Sequence, residues 1–507
     1  MKKLFGLLFV FITMNAFSQL QDRIWIFGRA TSGSTNATLY FGNLSNPVVT
    51  LPTATQPNSI TTSNGFEVWS IVTNPVTGNL IFYTDGITVF NNLHQIIDLD
   101  TSTTAIEPLG ADPSSSQPVA VAVEPKLPHE NYILFLNGTG GYNGYSNVGL
   151  ITYRIYNIIN QSFSNILNLP GPYSTSTVTE GMKIVPSETD PSVMWLVTSL
   201  YPQGGITNRY VVYKIQQNII SYHNYFDFGP AKQSTTTNYA SSPILNITYS
   251  NAIDTLGVST VGFALQNTSR IFICKFNNTT GDFVTNTYKE YNPGFPIVPS
   301  VYDLEFSPNG RFLYYSVYFN GGSINTLYQL DLNDSVLTPT TIKNFSYKHG
   351  GGLQLGPDGL IYHIHDAGVV DNTVRLGRIL LPDTKFITGT TPISSFYQEN
   401  FMVYNNVLSF GLPEFLINPY NITNFSDNMN IKKDENVVIF PNPCSGQIAF
   451  ITDQSFDVKL YDMQGRIVKQ FKIYGKTSKN ISDIPNGIYT VLLKNKQQSI
   501  VKKLVIQ

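Results

Sequence analysis

Along most of the chain one phrase of apolar and polar positions recurs: a short apolar strand, a Pro-containing turn, then an aromatic-rich strand. It reads Ile71-Val72-Thr73-Asn74-Pro75 reaching Leu80-Ile81-Phe82-Tyr83, then Val121-Ala122-Val123-Glu124-Pro125 reaching Tyr132-Ile133-Leu134-Phe135. It returns as Met182-Lys183-Ile184-Val185-Pro186 reaching Met194-Trp195-Leu196-Val197. Two closer copies are Leu304-Glu305-Phe306-Ser307-Pro308-Asn309-Gly310 and Leu353-Gln354-Leu355-Gly356-Pro357-Asp358-Gly359, each followed by an aromatic run. The repeat is about 50 to 60 residues, the length of one four-stranded propeller blade. Pro presets φ, and Asn-Gly or Asp-Gly allows φ > 0, so the chain can reverse tightly between strands. Strands apolar on both faces suit sheets sandwiched between neighbours.

A double-length gap separates the copies at Pro186 and Pro308. Residues Tyr239 to Phe283 fit there as a unit without the proline phrase, which gives six internal units. Strand material at the two ends, Arg23 to Gly28 and Thr38 to Gly42 with Phe401 to Tyr404 and Val407 to Phe410, is expected to build one closing blade together. The expected fold is all-β: a propeller of about seven blades over residues 19–417, followed by a small C-terminal β-sandwich. Residues 418–436 are Asn-rich, without apolar periodicity, and read as a linker to a domain at 437–507.

Composition sharpens this picture. Only 13% of the 507 residues are charged, while 30 Tyr and 32 Phe are present, a mix that favours strands over long helices. A net charge of −2 hides an asymmetry: twelve basic and six acidic residues follow Ile431, against 17 and 27 between the N-terminal segment and that point. Such a step supports a domain boundary. The low charge argues against nucleic-acid binding, which needs a basic footprint. Cys274 and Cys444 fall in different expected domains and read as unpaired.

The N-terminus carries Lys2 and Lys3, a nine-residue apolar run from Leu4 to Ile12, and Ala16-Phe17-Ser18. This is the pattern of a cleaved signal peptide over residues 1–18, too short to span a bilayer, which takes about 20 residues. No other stretch is long and apolar enough to span.

The C-terminal segment runs through Ile439-Phe440-Pro441-Asn442-Pro443, Leu460-Tyr461-Asp462-Met463-Gln464-Gly465-Arg466 and Ile484-Pro485-Asn486-Gly487-Ile488-Tyr489. This order resembles the type A C-terminal sorting domain of the Bacteroidetes type IX secretion system. The resemblance implies an Ig-like sandwich, a partnership with the type IX secretion machinery, and secretion or surface display by way of the periplasm. Pro441, Asn442, Pro443, Gly465, Arg466, Gly487 and Tyr489 carry the motif. The body, with Trp25-Ile26-Phe27-Gly28 early, Gly78 to Asn91, and Ser409-Phe410-Gly411-Leu412-Pro413-Glu414-Phe415 late, resembles large Bacteroidetes surface proteins. The Ser-Pro-Asn-Gly-Arg phrase is similar to lactonase-like propellers.

In a propeller the innermost strands line a channel, and ligands sit at one mouth of it. The polar residues at the starts of those strands are Glu67, Gln117, Glu180, Asp303 and His349. Converging acids and a His could bind a metal or polarise a lactone carbonyl. Glu67 and His349 align on the proline, while Glu180 and Asp303 fall two and three positions later, so a metal site with acids at matched depths is not expected. His363 and His365 share one strand face and read as a packed pair. Tyr142, Tyr145 and Tyr201 sit in Gly-rich loop tips, where rings can stack on sugars. No Gly-x-Ser-x-Gly elbow, P-loop or dinucleotide fingerprint occurs. The expected role is a noncatalytic binding module for glycan or surface protein, without cofactor. The alternative is a channel-mouth hydrolase or lactonase.

Overall fold

In a computed structural model, residues 23–30, 37–41, 67–227, 245–291, 300–346, 350–415 and 438–506 are described, apart from short connections within those spans. Two compact units are present, residues 1–422 and 423–507. The N-terminal segment 1–18 and the stretch 418–436 lie outside the described residues.

The first unit is a β-propeller. In blades 2, 3, 5 and 6 the expected proline phrase forms the two inner strands of a sheet whose strands follow in chain order from inside to outside. Blade 2 holds Val119–Val123, Asn131–Asn137 and Ile151–Asn157, edged by Ser162–Phe163 and Leu167–Asn168. Blade 3 holds Val178–Pro186, Val193–Leu200, Arg209–Gln216 and Ile219–Asp227. Blade 4, the unit without a proline phrase, holds Leu245–Ile247, Ile253–Thr260, Arg270–Asn277 and Asp282–Tyr291. Blade 5 holds Ser300–Phe306, Phe312–Tyr318, Asn325–Asp331 and Pro339–Phe345. Blade 6 holds Leu353–Leu355, Ile361–Ala367, Thr373–Ile379 and Tyr397–Asn405. The turns behave as their residues dictate. Gly310 (φ +68°) and Gly359 (φ +79°) take the left-handed region that Pro-Asn-Gly and Pro-Asp-Gly provide for.

Blade 1 differs. Its strands Ser70–Thr73, Leu80–Thr84 and Val89–Asn91 are completed on the inside by Glu414–Phe415, which pairs in parallel with Ser70–Thr73. The ring therefore closes on a strap. Ser409 donates its N–H to the Ala367 carbonyl at 3.1 Å, and the Gly352 N–H reaches the Phe410 carbonyl at 2.6 Å, both anchoring the strap to blade 6. The Gly411 N–H then reaches the Glu67 carbonyl at 3.0 Å, and Glu414 reaches that of Trp69 at 2.8 Å. Close approach requires glycine at Gly351, where a Cβ would overlap the Phe410 carbonyl oxygen.

The expected closing blade needs a correction. Phe401–Tyr404 is not shared with the N-terminus; it belongs to the outermost strand of blade 6. What joins the termini is smaller: Arg29–Ala30 pairs with Val407–Leu408, and Ile24–Phe27 pairs with Ala37–Tyr40. The terminal pair packs into one core with Trp69, Ile71 and Tyr83 of blade 1 and Tyr362, Ile364 and Tyr404 of blade 6. Trp25 makes an edge-on ring contact with Tyr362 at 5.1 Å, and the Trp69 indole N–H reaches the Gly28 carbonyl at 3.1 Å. Both indoles are fully buried. Each such aromatic contributes about 2–3 kcal/mol of hydrophobic stabilisation.

The second unit is a small β-sandwich. Its strands are Val438–Phe440, Gln447–Tyr461, Ile467–Asn480, Gly487–Lys494 and Ser499–Ile506. Gln447–Tyr461 pairs along its length with Ile467–Asn480, with a register shift between Thr452 and Phe456, and on its other edge pairs first with Val438–Phe440 and then with Gly487–Lys494. Ile448, Phe450, Val458, Leu460, Val491 and Leu504 form the core. Cys274 and Cys444 are both buried and free. Among the described residues no helix is long and apolar enough to cross a membrane.

Candidate functional site

The innermost strands bring polar groups from distant parts of the sequence to the propeller axis. Lys183, on the first strand of blade 3, places Nζ 2.7 Å from Oε2 of Glu414 on the closing strap. Gln117, at the entry to blade 2, donates from Nε2 to the other Glu414 oxygen at 3.0 Å, and its own carbonyl accepts the Met182 N–H at 3.0 Å. One carboxylate thus ties together blades 1, 2 and 3.

The opposite wall uses acids differently. Asp303 and Glu305 lie two residues apart on the first strand of blade 5. Asp303 accepts the Leu353 N–H at 2.7 Å and Glu305 the Leu355 N–H at 2.9 Å. The remaining oxygens accept the N–H groups of Leu304 and Phe306. Alternation on one strand matches alternation on the next, so the two side chains act as a ladder between blades 5 and 6. Glu67 of blade 1 accepts the hydroxyl of Tyr302 from blade 5, a contact between blades on different sides of the ring.

Electrostatics follow from this crowding. Burial would pull the Lys183 ammonium down, but the charge and hydrogen bond of Glu414, with Glu305 and Asp303 beyond, outweigh it and raise its pKa. Burial pushes the Asp303 carboxyl up to about 8, against the two backbone N–H groups that favour its anion; the nearby charges of Glu305 and Glu414 add to the rise. The space beside Lys183, Glu414, Gln117, Ser70 and Met182 is about 20 Å³, enough for about one water molecule.

Of the channel-mouth candidates read from the sequence, Glu67, Gln117 and Asp303 are among the described residues, and each makes the hydrogen bonds given above within the first unit. Glu180 lies on the first strand of blade 3, with its side chain outside the described residues, as is His349. Tyr142, Tyr145, Tyr201, Pro441, Asn442, Pro443 and Gly465 also fall outside them. Lys183, Tyr302, Glu305 and Glu414 were missed. For Glu305 a signal existed: it follows Asp303 at the i, i+2 spacing of one strand face.

His363 and His365 lie on the second strand of blade 6, both buried, with ring centroids 6.4 Å apart. Phe345 stacks on His365 at 5.0 Å, and His363 Nδ1 lies 3.2 Å from the Tyr397 hydroxyl. Burial holds the His363 pKa well below its ordinary value and brings His365 down to about 4, so both rings are neutral packing groups at pH 7. Among the described residues, no group of three or more His, Cys, Asp or Glu is placed to hold a metal ion. In the sandwich, Arg466 closes a hairpin on Asp462, with Nε 2.8 Å from Oδ2. Tyr489 buries its ring and donates its hydroxyl to the Pro485 carbonyl at 2.7 Å, beside Gly487 at the start of that strand.

The first unit is thus a propeller whose axis is bridged by side chains, and the second is a separate sandwich. Residues 438–507 match the family model of a secretion system C-terminal sorting domain. The chain carries a type IX sorting tail and is secreted or placed at the cell surface, with the type IX machinery as the tail's partner. No curated protein sequence matches the chain. Among solved structures it is similar to hydrazine synthase of Kuenenia stuttgartiensis (12% identity over 61% of this chain and 72% of that one, TM-score 0.34). It is also similar to an α-L-arabinofuranosidase from Fusarium graminearum in complex with an iminosugar inhibitor (8%, 73% and 94%, TM-score 0.34). A third is a Bombyx mori GH32 β-fructofuranosidase in complex with sucrose (10%, 74% and 84%, TM-score 0.27).

Proposed function

We propose that the propeller is a noncatalytic recognition module, delivered outside the cell by its sorting tail, that binds glycan or protein through its rim rather than its axis. The observation that carries this reading is the use made of the axial carboxylates. Glu67, Asp303, Glu305 and Glu414 each hold a neighbouring blade or strap. A hydrolytic pair needs one carboxyl open to the leaving group and another open to water or the reacting carbon. Here the corresponding oxygens accept structural hydrogen bonds, and the space beside Lys183 and Glu414 admits about one water molecule.

Incubating the purified chain with extracellular glycans and proteins tests this. Saturable binding without product release is the expected result. Turnover abolished by Asp303→Asn or Glu414→Gln in a folded variant, or a stoichiometric divalent ion bound at the axis, would replace it with the hydrolase reading.

A further inference from the structure

Away from the axis, the outer edge of blade 3 carries an Arg–Asp pair beside three tyrosines, of which Tyr173 and Tyr222 also pack against the core of blades 1 to 3 while Tyr225 does not. Arg209 opens the third strand of the blade and faces Asp227 on the outermost strand, in direct register. The two form a fork: Nε to Oδ1 at 2.8 Å and Nη2 to Oδ2 at 2.6 Å. Nη1 donates to the Tyr173 hydroxyl at 3.1 Å, and the guanidinium lies 4.1 Å from the centre of the Tyr225 ring. Tyr173 in turn lies 5.8 Å from Tyr222 and 6.0 Å from Tyr225, centre to centre. Tyr225 is 43% exposed, although it is held on a strand and not on a loop.

This group is closely packed and hydrogen-bonded. Gly171, at φ +89°, brings the connection carrying Tyr173 down onto the blade; a Cβ there would lie 2.6 Å from Cβ of Tyr222. Three described hydrogen bonds fix Arg209, which has five N–H groups, and Asp227 uses one acceptor site on each oxygen. Donors and acceptors therefore remain side by side beside an exposed ring. Because Asp227 neutralises Arg209, the fork has no net attraction for an anion, and the body as a whole is acidic.

We propose that Tyr225, Tyr222 and Tyr173, with the Arg209–Asp227 fork, form a subsite for one unit of a neutral polysaccharide. The sugar's C–H face stacks on Tyr225, and vicinal hydroxyls take the paired donor and acceptor of the fork. This rests on the recognition-module reading and gives it a ligand class and an address.

The test is affinity electrophoresis of the full mature chain in gels containing laminarin, xyloglucan, galactomannan or soluble starch, with polygalacturonate as the charged counterpart. At least one neutral polymer should retard the protein. Tyr225→Ala and Arg209→Lys should each weaken binding by about tenfold, as loss of an aromatic or guanidinium anchor does. Tyr225→Trp should keep it, and Tyr474→Ala, an exposed tyrosine of the other unit, should leave it unchanged. Thermal unfolding of each variant separates lost binding from lost fold. Retardation indifferent to Tyr225→Ala and Arg209→Lys overturns the subsite, and so does failure of every neutral polymer or a preference for polygalacturonate. Polymer cleavage by the retarded protein, lost in Asp303→Asn, would instead defeat the noncatalytic reading and leave the subsite standing.

Discussion

Lys183 and Glu414 are 231 residues apart in sequence and 2.7 Å apart at the propeller axis, with side chains only 12% and 24% exposed. Their contact fastens the closing strap to blade 3, and Gln117 fastens the same carboxylate to blade 2. A buried pair of this kind is weak as a source of net stability and costly to break on one side, because the surviving charge loses its partner.

Glu414→Ala should therefore lower unfolding free energy by about 3 kcal/mol in denaturant titration, whereas the double variant Lys183→Met with Glu414→Leu should recover most of that loss. If the single and double variants are equally destabilised, the pair is not what the strap depends on.

Two glycines separate steric need from conformational need. Gly351→Ala forces a Cβ onto the Phe410 carbonyl oxygen, a backbone atom that can move only if the strap moves. It should cost about 2 kcal/mol or more. Gly359→Ala meets nothing within 4 Å and suffers only from its φ of +79°, a penalty of about 1 kcal/mol. Equal costs in chemical unfolding would mean that the strap does not press on blade 6 as described.

The raised Asp303 pKa has a signed consequence. Below about pH 4 the carboxyl is protonated in both folded and unfolded chains and contributes no pH dependence. As pH rises from there toward 8, the unfolded chain releases its proton while the folded one keeps it, so stability falls across that window. Asp303→Asn, which resembles the protonated acid, should flatten this part of the profile. Melting temperatures of both proteins from pH 4 to 8 would converge at the acid end and separate at the basic end. Parallel profiles would show that Asp303 is ionised in the folded protein.

Removing residues 437–507 should leave the body inside the cell envelope with its propeller folded. Fractionation followed by immunodetection gives the answer. Truncated protein in the medium or on the surface would mean that the sorting tail is not the signal that exports this chain.

Much of the architecture was legible because the local and global signals agree. Pro308-Asn309-Gly310 and Pro357-Asp358-Gly359 announce tight reversals, and the apolar runs on either side pair as the two inner strands of their blades. Closure was read only in outline. Glu414 and Phe415 make a two-residue parallel pairing with residues 70 and 71, too short and too remote for periodicity to register. Phe401 to Tyr404 looked like spare strand material because nothing local distinguishes an outermost strand from a terminal one. At the axis, Glu67, Gln117 and Asp303 were visible as polar residues near apolar strands. Lys183 and Glu414 were not, since their meaning lies in one another. The tyrosines of the blade 3 rim were also passed over: Tyr222 and Tyr225 sit in an ordinary-looking strand, and only the register of Arg209 with Asp227 sets the guanidinium over the Tyr225 ring.

The strap also sets the order of events in folding. Residues 411 and 414 complete hydrogen bonds begun by residues 67 and 69, so the torus has a seam whose two lips are nearly the whole body apart in sequence. Bringing such lips together carries a large loop-closure entropy and a high contact order. A chain delivered amino end first is an open arc of blades until residue 415 arrives. The seam makes complete folding a late, cooperative step, and it makes the strap the natural place to look when a variant of this protein folds slowly.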